Sequence, residues 1–230
     1  MRISHKHKFV FLAMPRTAST SIRRTLDPYS DLRSRHISET NSNFPFYHHI
    51  PAAELKKIFD KRSWEWEEYN HFCFVRNPFD RVVSLYRHHC EKMRGWKDTK
   101  GIIKNTKKCL KEYAKGKPSF REYVENIDPR NDNLAMSVKQ FTEGEGGEKL
   151  VEDILKFENL PEVFFDYMKN KVGLKLNIKR LPIKNESEVK NTHAEYYDKY
   201  TKNLVEKKYC REISEFGYKK NIILEDGVSG

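Results

Sequence analysis

The chain has 230 residues, of which 37% are hydrophobic and 33% charged, and a formal net charge of +11. It is long enough for one sizeable core, and no apolar run approaches the ~18 residues of a membrane span. With a mean hydropathy of −0.84, a soluble protein is expected. Cys73, Cys90, Cys109 and Cys210 are widely spaced and form no CxxC. All four are expected to be reduced, although sequence permits three pairings, and Cys73 falls in a strand where it reads as packing.

Taken in chain order, the first informative stretch is 8–26, KFVFLAMPRTASTSIRRTL. An apolar run from Phe9 to Met14 stops at Pro15. The hydroxyl-rich turn Thr17-Ala18-Ser19-Thr20-Ser21 follows, and Ile22, Arg23, Arg24 and Leu26 then keep a helical pattern. This predicts strand, tight loop and helix N-terminus, whose free N–H groups and positive dipole end suit an anion. Arg16 adds a fixed charge suited to phosphate or sulfate oxygens. A nucleoside-triphosphate loop of the G-x-x-x-x-G-K-[ST] type is disfavoured, since no glycine precedes Gly95 and no lysine follows the turn. An ordinary N-capped helix after an edge strand would show the same hydroxyls.

Between 44 and 59 the chain reads FPFYHHIPAAELKKIF, with a helix expected to start at Pro51. His48 and His49 stand at its entrance. Histidine titrates near neutrality, which suits a general base, and His49, beside the Ile50–Pro51 boundary, is preferred over His48. His36, His88, His89 and His193 are weaker candidates. No histidine pair has metal-ligand spacing with Cys or Asp nearby, so no metal is expected.

Residues 70–87, NHFCFVRNPFDRVVSLYR, repeat the strand-to-helix theme. Phe72–Val75 reads as a buried strand, Asn77-Pro78 as a break, and Val82, Val83, Leu85 and Tyr86 as a helix. Arg76 sits at the strand end, where doubly wound sheets place ligand contacts, and Ser84 lies about two helical turns further on.

Further on, 97–117 carries eight lysines against Asp98 and Glu112. It is either a solvated face or a basic flank that steers an acidic substrate. Phe120–Ile127 and Leu134–Phe141 read as short helices, EGEGGEK (143–149) as a turn, Asp153–Phe157 as a late strand ending at Glu158, and Leu160–Val172 as a helix begun by Pro161. Glu158 at a strand end reads equally as a buried acid tying the sheet to backbone. His193–Phe216 keeps helical spacing through Tyr196, Tyr197, Tyr200, Leu204, Tyr209 and Ile213, an aromatic stripe that reads as core. One domain over 1–223 and a flexible tail over 224–230 are expected.

PRTASTSI and FVRNPFDRVVSLYR together resemble the two nucleotide motifs of the sulfotransferases that use 3′-phosphoadenosine 5′-phosphosulfate (PAPS). The likeness is to the carbohydrate branch with chondroitin 4-, HNK-1 and heparan/uronyl 2-O-sulfotransferases. ILKFENL (154–160), LPIKNES (181–187) and 196–218 are also similar, so the likeness runs over about 7–218 and is patchy over 95–150.

The resemblance implies a three-layer, P-loop-like α/β fold with a central, mainly parallel sheet flanked by helices. It implies a sulfuryl transfer from PAPS to a hydroxyl, most plausibly on a carbohydrate, by in-line displacement with a histidine base and no metal. Arg16, Thr17, Ala18, Ser19, Thr20 and Ser21 would hold the 5′-phosphosulfate, and Arg76 and Ser84 the 3′-phosphate. Lys184 and Asn185 would contact cofactor or acceptor, and His49 or His48 would take the acceptor proton. Arg16 stands where the family has lysine; it supplies charge but is a poor proton donor. A P-loop-like kinase using ATP, and a non-catalytic anion- or glycan-binding protein on the same scaffold, are the alternatives. Nucleic acid is disfavoured, for want of zinc-finger spacing or an RNA-binding aromatic signature. Golgi members of the family carry an anchor. The chain is therefore expected in the cytoplasm, or in the Golgi lumen if it is a fragment lacking one.

Overall fold

The computed structural model of the chain describes residues 1–88, 118–130, 132, 134–178, 181 and 193–219. The basic stretch 97–117, Lys184, Asn185, His89, Cys90, Cys109 and the tail 224–230 lie outside the described residues. These divide into two compact units, Met1–Arg76 with Val138–Asn185, and Asn77–Ser137 with Glu186–Gly230.

The first unit is built on a five-stranded sheet. Its strands are β1 (Arg2–Ser4), β2 (Phe9–Phe11), β3 (Leu32–Arg33), β4 (Asn70–Val75) and β5 (Asp153–Lys156), in the order β3-β1-β2-β4-β5. β2, β4 and β5 run parallel, in the register Phe11↔Phe72 and Phe72↔Asp153. β1 and β3 extend the β2 edge antiparallel. At three and two residues they are too short for the sequence to show a period of two. β2 is shorter than the expected run to Met14, although Leu12 N–H still reaches the Phe72 carbonyl at 2.9 Å.

Alternation along the strands sorts side chains onto two faces. Phe9, Phe11, Ala13, Phe72 and Phe74 pack with Ile22 and Leu26 of helix α1 (Ser19–Leu26). Phe164, Tyr167 and Met168, all later in the chain, join the same cluster. His71 points the other way and stacks on Trp66 at 4.0 Å, and Trp66 meets Phe59 of α2 (Ala52–Lys61). Helices therefore cover both faces, and the expected three-layer α/β class holds.

Helix α3 (Pro78–Tyr86) opens the second unit, with Asn77 as its cap and Pro78 at its first position. It packs with α4 (Phe120–Asn126) around Phe79, Val82, Val83, Phe120, Val124, Tyr197, Val205 and Tyr209. Arg81 is buried here at 2% exposure. Its Nη2 donates to the Met136 carbonyl at 2.6 Å, and its Nη1 faces Glu212 at 3.9 Å.

Several element boundaries differ from the expected ones. Of Leu134–Phe141 only α5 (Val138–Thr142) is helical, because Asp132 Oδ1 takes the N–H groups of Leu134 and Ala135 into a side-chain turn. After β5 the chain forms a 3₁₀ turn over Phe157–Asn159, and Glu158 is exposed, which rules out its reading as a buried acid. The expected helix after Pro161 is α6 (Glu162–Asn170). Residues 193–216 break into a 3₁₀ turn (His193–Tyr196), α7 (Lys199–Lys208) and α8 (Cys210–Glu215). The Asp198 carboxylate, accepting from Thr201 N–H at 2.7 Å, starts α7 afresh. The aromatic stripe is core at Tyr197 and Tyr209, while Tyr200 is exposed. Cys73 is buried and Cys210 exposed, and neither is in a disulfide among the described residues. No helix among the described residues is long and apolar enough to cross a membrane.

Candidate active site

The parallel strand β2 delivers the chain into the turn 15–18, and the turn delivers it into α1. Arg16 (φ 66°) and Ala18 (φ 56°) are both left-handed, and neither is glycine. Such residues cost about 1–3 kcal/mol each and persist where their surroundings impose them. Thr17 Oγ1 braces the turn by donating to the Met14 carbonyl at 2.9 Å. Ala18 occupies the N-cap, no side chain caps α1, and the first helical bond is Ile22 N–H to Ala18 O at 3.1 Å. The ordinary capped-helix reading therefore fails: none of the hydroxyls is spent on the helix terminus. Instead, the turn places two left-handed residues directly ahead of the first turn of α1, whose N–H groups no side chain caps.

Two further elements bring side chains to this turn. At the end of β4, Arg76 donates Nη1–H to the Arg16 carbonyl at 3.4 Å, and its guanidinium lies 4.5 Å over the Phe157 ring. The sequence places Phe157 at the end of the late strand and gives it no role at this turn; an aromatic one residue beyond a parallel strand was the available signal. Ser84 lies partly buried in α3, within the other unit.

The segment before α2 supplies the histidines, whose rings are 6.4 Å apart. His49 Nδ1 is 2.6 Å from the carbonyl of Ala13, two residues before Pro15. A carbonyl only accepts, so Nδ1 carries the proton and Nε2 keeps its lone pair. His48 is turned elsewhere: its Nδ1 meets Ser34 Oγ at 2.9 Å, and its carbonyl accepts from the Met1 ammonium at 2.7 Å. Ser34 Oγ also accepts from Arg2 at 3.2 Å, so His48 belongs to a buried structural network.

Burial, then the nearby charges of Arg23, the N-terminus and Arg2, pushes His48 down to about 3. Burial lowers His49 to about 3 as well, against the raising effect of its bond to Ala13. Burial alone takes His71 to about 4. A histidine ordinarily titrates near 6.5, so all three are neutral in the folded chain at neutral pH. As pH falls below 6.5 the unfolded chain binds protons that the folded chain refuses, and stability falls with it, at about 1.4 kcal/mol per pH unit for each such proton. Urea unfolding between pH 7.5 and 5 should show this decline, and His71→Gln should lower its slope by nearly one proton. A flat profile would contradict the buried neutral state.

Arg23, on α1, went unmarked in the sequence reading as anything but a helix-face residue. It is 9% exposed, with Nε donating to the Ser19 carbonyl at 3.2 Å and Nη2 reaching Thr20 Oγ1 at 3.5 Å. The signal was its spacing of three and four from those hydroxyl residues, which puts it on their face of the helix.

The first motif thus forms a left-handed turn between β2 and α1, and Arg76 of the second motif stands at the end of β4 against that turn, in a mixed α/β sheet. Residues 1–219 match the sulfotransferase family, and the chain belongs to it. It is a sulfuryl-transferring enzyme, and the resemblance read from its two motifs is borne out at the level of the family. No curated protein and no solved structure matches the chain significantly.

Proposed function

We propose that the turn 15–21 and Arg76 hold PAPS, and that His49 is the base toward an acceptor hydroxyl on a carbohydrate. The observation that carries this reading is the bond of His49 Nδ1–H to Ala13 O. It ties the ring to the strand that feeds the left-handed turn and leaves Nε2 as a proton acceptor. The residues suit the donor: the uncapped N–H groups of the first turn of α1, the hydroxyls of Ser19, Thr20 and Ser21, and the guanidiniums of Arg16 and Arg76 are all anion partners. Bound PAPS supplies the sulfuryl group, and 3′,5′-phosphoadenosine (PAP) is what remains. Arg16 and the backbone amides stabilise negative charge without donating a proton, which makes catalysis chiefly positioning and electrostatics. Ser84 is assigned to the 3′-phosphate by its place in the motif, and so is Asn185, outside the described residues, to the nucleotide. The charge of +11 favours an anionic acceptor through steering.

Calorimetric titration with PAP, AMP and ATP-magnesium tests the reading. PAP is expected to bind more tightly than AMP, because Arg76 answers its 3′-phosphate. Arg76→Ala should weaken PAP by about 10- to 100-fold, as for a lost charged hydrogen bond, and leave AMP unchanged. ATP binding as well as PAP would send the search to phosphoryl acceptors.

A further inference from the structure

Arg23 is a buried cation with no counter-ion among the described residues. Buried charges in proteins are normally paired. Arg2, the neighbouring buried arginine, has Asp27 at 2.5 Å. Arg23 has no carboxylate within 4 Å among the described residues, and Asp27, the one acid whose charge it feels, is already engaged by Arg2. Its Nη1 is buried with no hydrogen-bond partner, and its two other contacts are the Ser19 carbonyl and a long reach to Thr20. Thr20, which its Nη2 reaches, is partly exposed in the first turn of α1. Arg2 and Arg24 bear on it with like charge, against the opposite charge of Asp27. Burial, the largest influence, lowers Arg23 itself to about 10, so it stays charged at neutral pH. An unspent donor, a buried positive charge and the N-terminal turn of α1 converge on one missing partner, an anion.

We propose that Arg23 is an oxyanion contact of this site, giving its guanidinium N–H groups to a sulfate-like group held at the first turn of α1. The proposal rests on the reading of 15–21 as the donor turn. The oxyanion has two possible sources, the sulfuryl group of the donor or an acidic substituent of the acceptor, and both present the same tetrahedral or planar oxygen set to the arginine fork.

The test compares wild type, Arg23→Gln and Arg23→Lys. PAP and PAPS affinities are measured by calorimetry, and stabilisation by inorganic sulfate is measured by thermal unfolding of the free and PAP-loaded protein. If the sulfuryl group is the partner, Arg23→Gln loses about 10- to 100-fold in PAPS affinity and keeps its PAP affinity. If the acceptor supplies the anion, both nucleotides bind as before, and the added protection by sulfate of the PAP-loaded protein disappears in Arg23→Gln. Either result supports the assignment. Arg23→Lys, which keeps the charge without the fork, should fall between, and it serves alone if the glutamine variant does not fold. Equal losses of PAP and PAPS, or PAPS affinity and sulfate protection both unchanged in the two variants, overturn it. Should wild type fail to bind PAP while sulfate protection still depends on Arg23, the nucleotide reading falls and the oxyanion contact stands.

Discussion

Replacing His49 by asparagine should lower sulfuryl turnover by about 10²–10⁴-fold, the usual worth of a positioned general base, while PAP binds as tightly as to wild type. An asparagine amide can still donate toward the Ala13 carbonyl, so the change removes the Nε2 lone pair more than it removes the anchor. His48→Asn should cost far less turnover and more stability, because the His48 ring answers Ser34 in the network around Met1 and Arg2. The pH profile adds a second check. With its ring lowered to about 3, His49 is always unprotonated in the free enzyme but a weak base. A polyanionic donor bound beside it favours the imidazolium and raises that value. The acid limb of kcat should therefore lie at higher pH than the acid limb of kcat/KM for PAPS. Turnover of His49→Asn within about tenfold of wild type would remove His49 from the mechanism.

Arg81→Ala should destabilise the protein by about 3–5 kcal/mol, the cost of removing one member of a buried ion pair. Arg81 and Glu212 are 2% and 3% exposed, and the guanidinium also holds the carbonyls of Met136 and Leu134 at 2.6 and 3.4 Å. The substitution takes away the cation that Glu212 faces and two donors at once. Denaturant unfolding measures the loss. Arg81→Met combined with Glu212→Leu should recover most of it, since an apolar pair of similar volume is often neutral in such a position. A loss under about 1 kcal/mol for Arg81→Ala would mean that water already reaches the pair. PAP affinity is a useful contrast, because it should follow Arg76 and not Arg81.

The contrast between these two arginines shows where the sequence is legible. In RNPFDR both are the same residue type, five positions apart. Arg76 follows an apolar strand, and a strand end is where parallel sheets present ligands, so its placement can be argued from pattern. Arg81 lies within a helix whose buried side is set by residues more than fifty positions away, Leu134, Met136 and Glu212. Nothing local to it announces burial. The two histidines divide the same way. Adjacent residues of one type differ only in what lies across from them, Ala13 for one and Ser34 for the other, and those partners arrive from segments just beyond β2 and β3.

Local pattern determined the rest of what was readable. Apolar runs closed by Pro15 and by Asn77-Pro78 mark two strand-to-helix junctions, and hydroxyls with Arg16 mark the turn between strand and helix, because strand, turn and helix start each depend on a few neighbouring residues. The motifs so placed were sufficient for the family. Tertiary structure alone decided the left-handed backbone at Arg16 and Ala18, which no glycine advertises and which the packed sheet and helix impose. It also decided the antiparallel edge β1–β3 and the burial of Arg23 with no counter-ion among the described residues. These depend on contacts between segments distant in sequence, where the free energy of burial, and not local preference, selects the conformation.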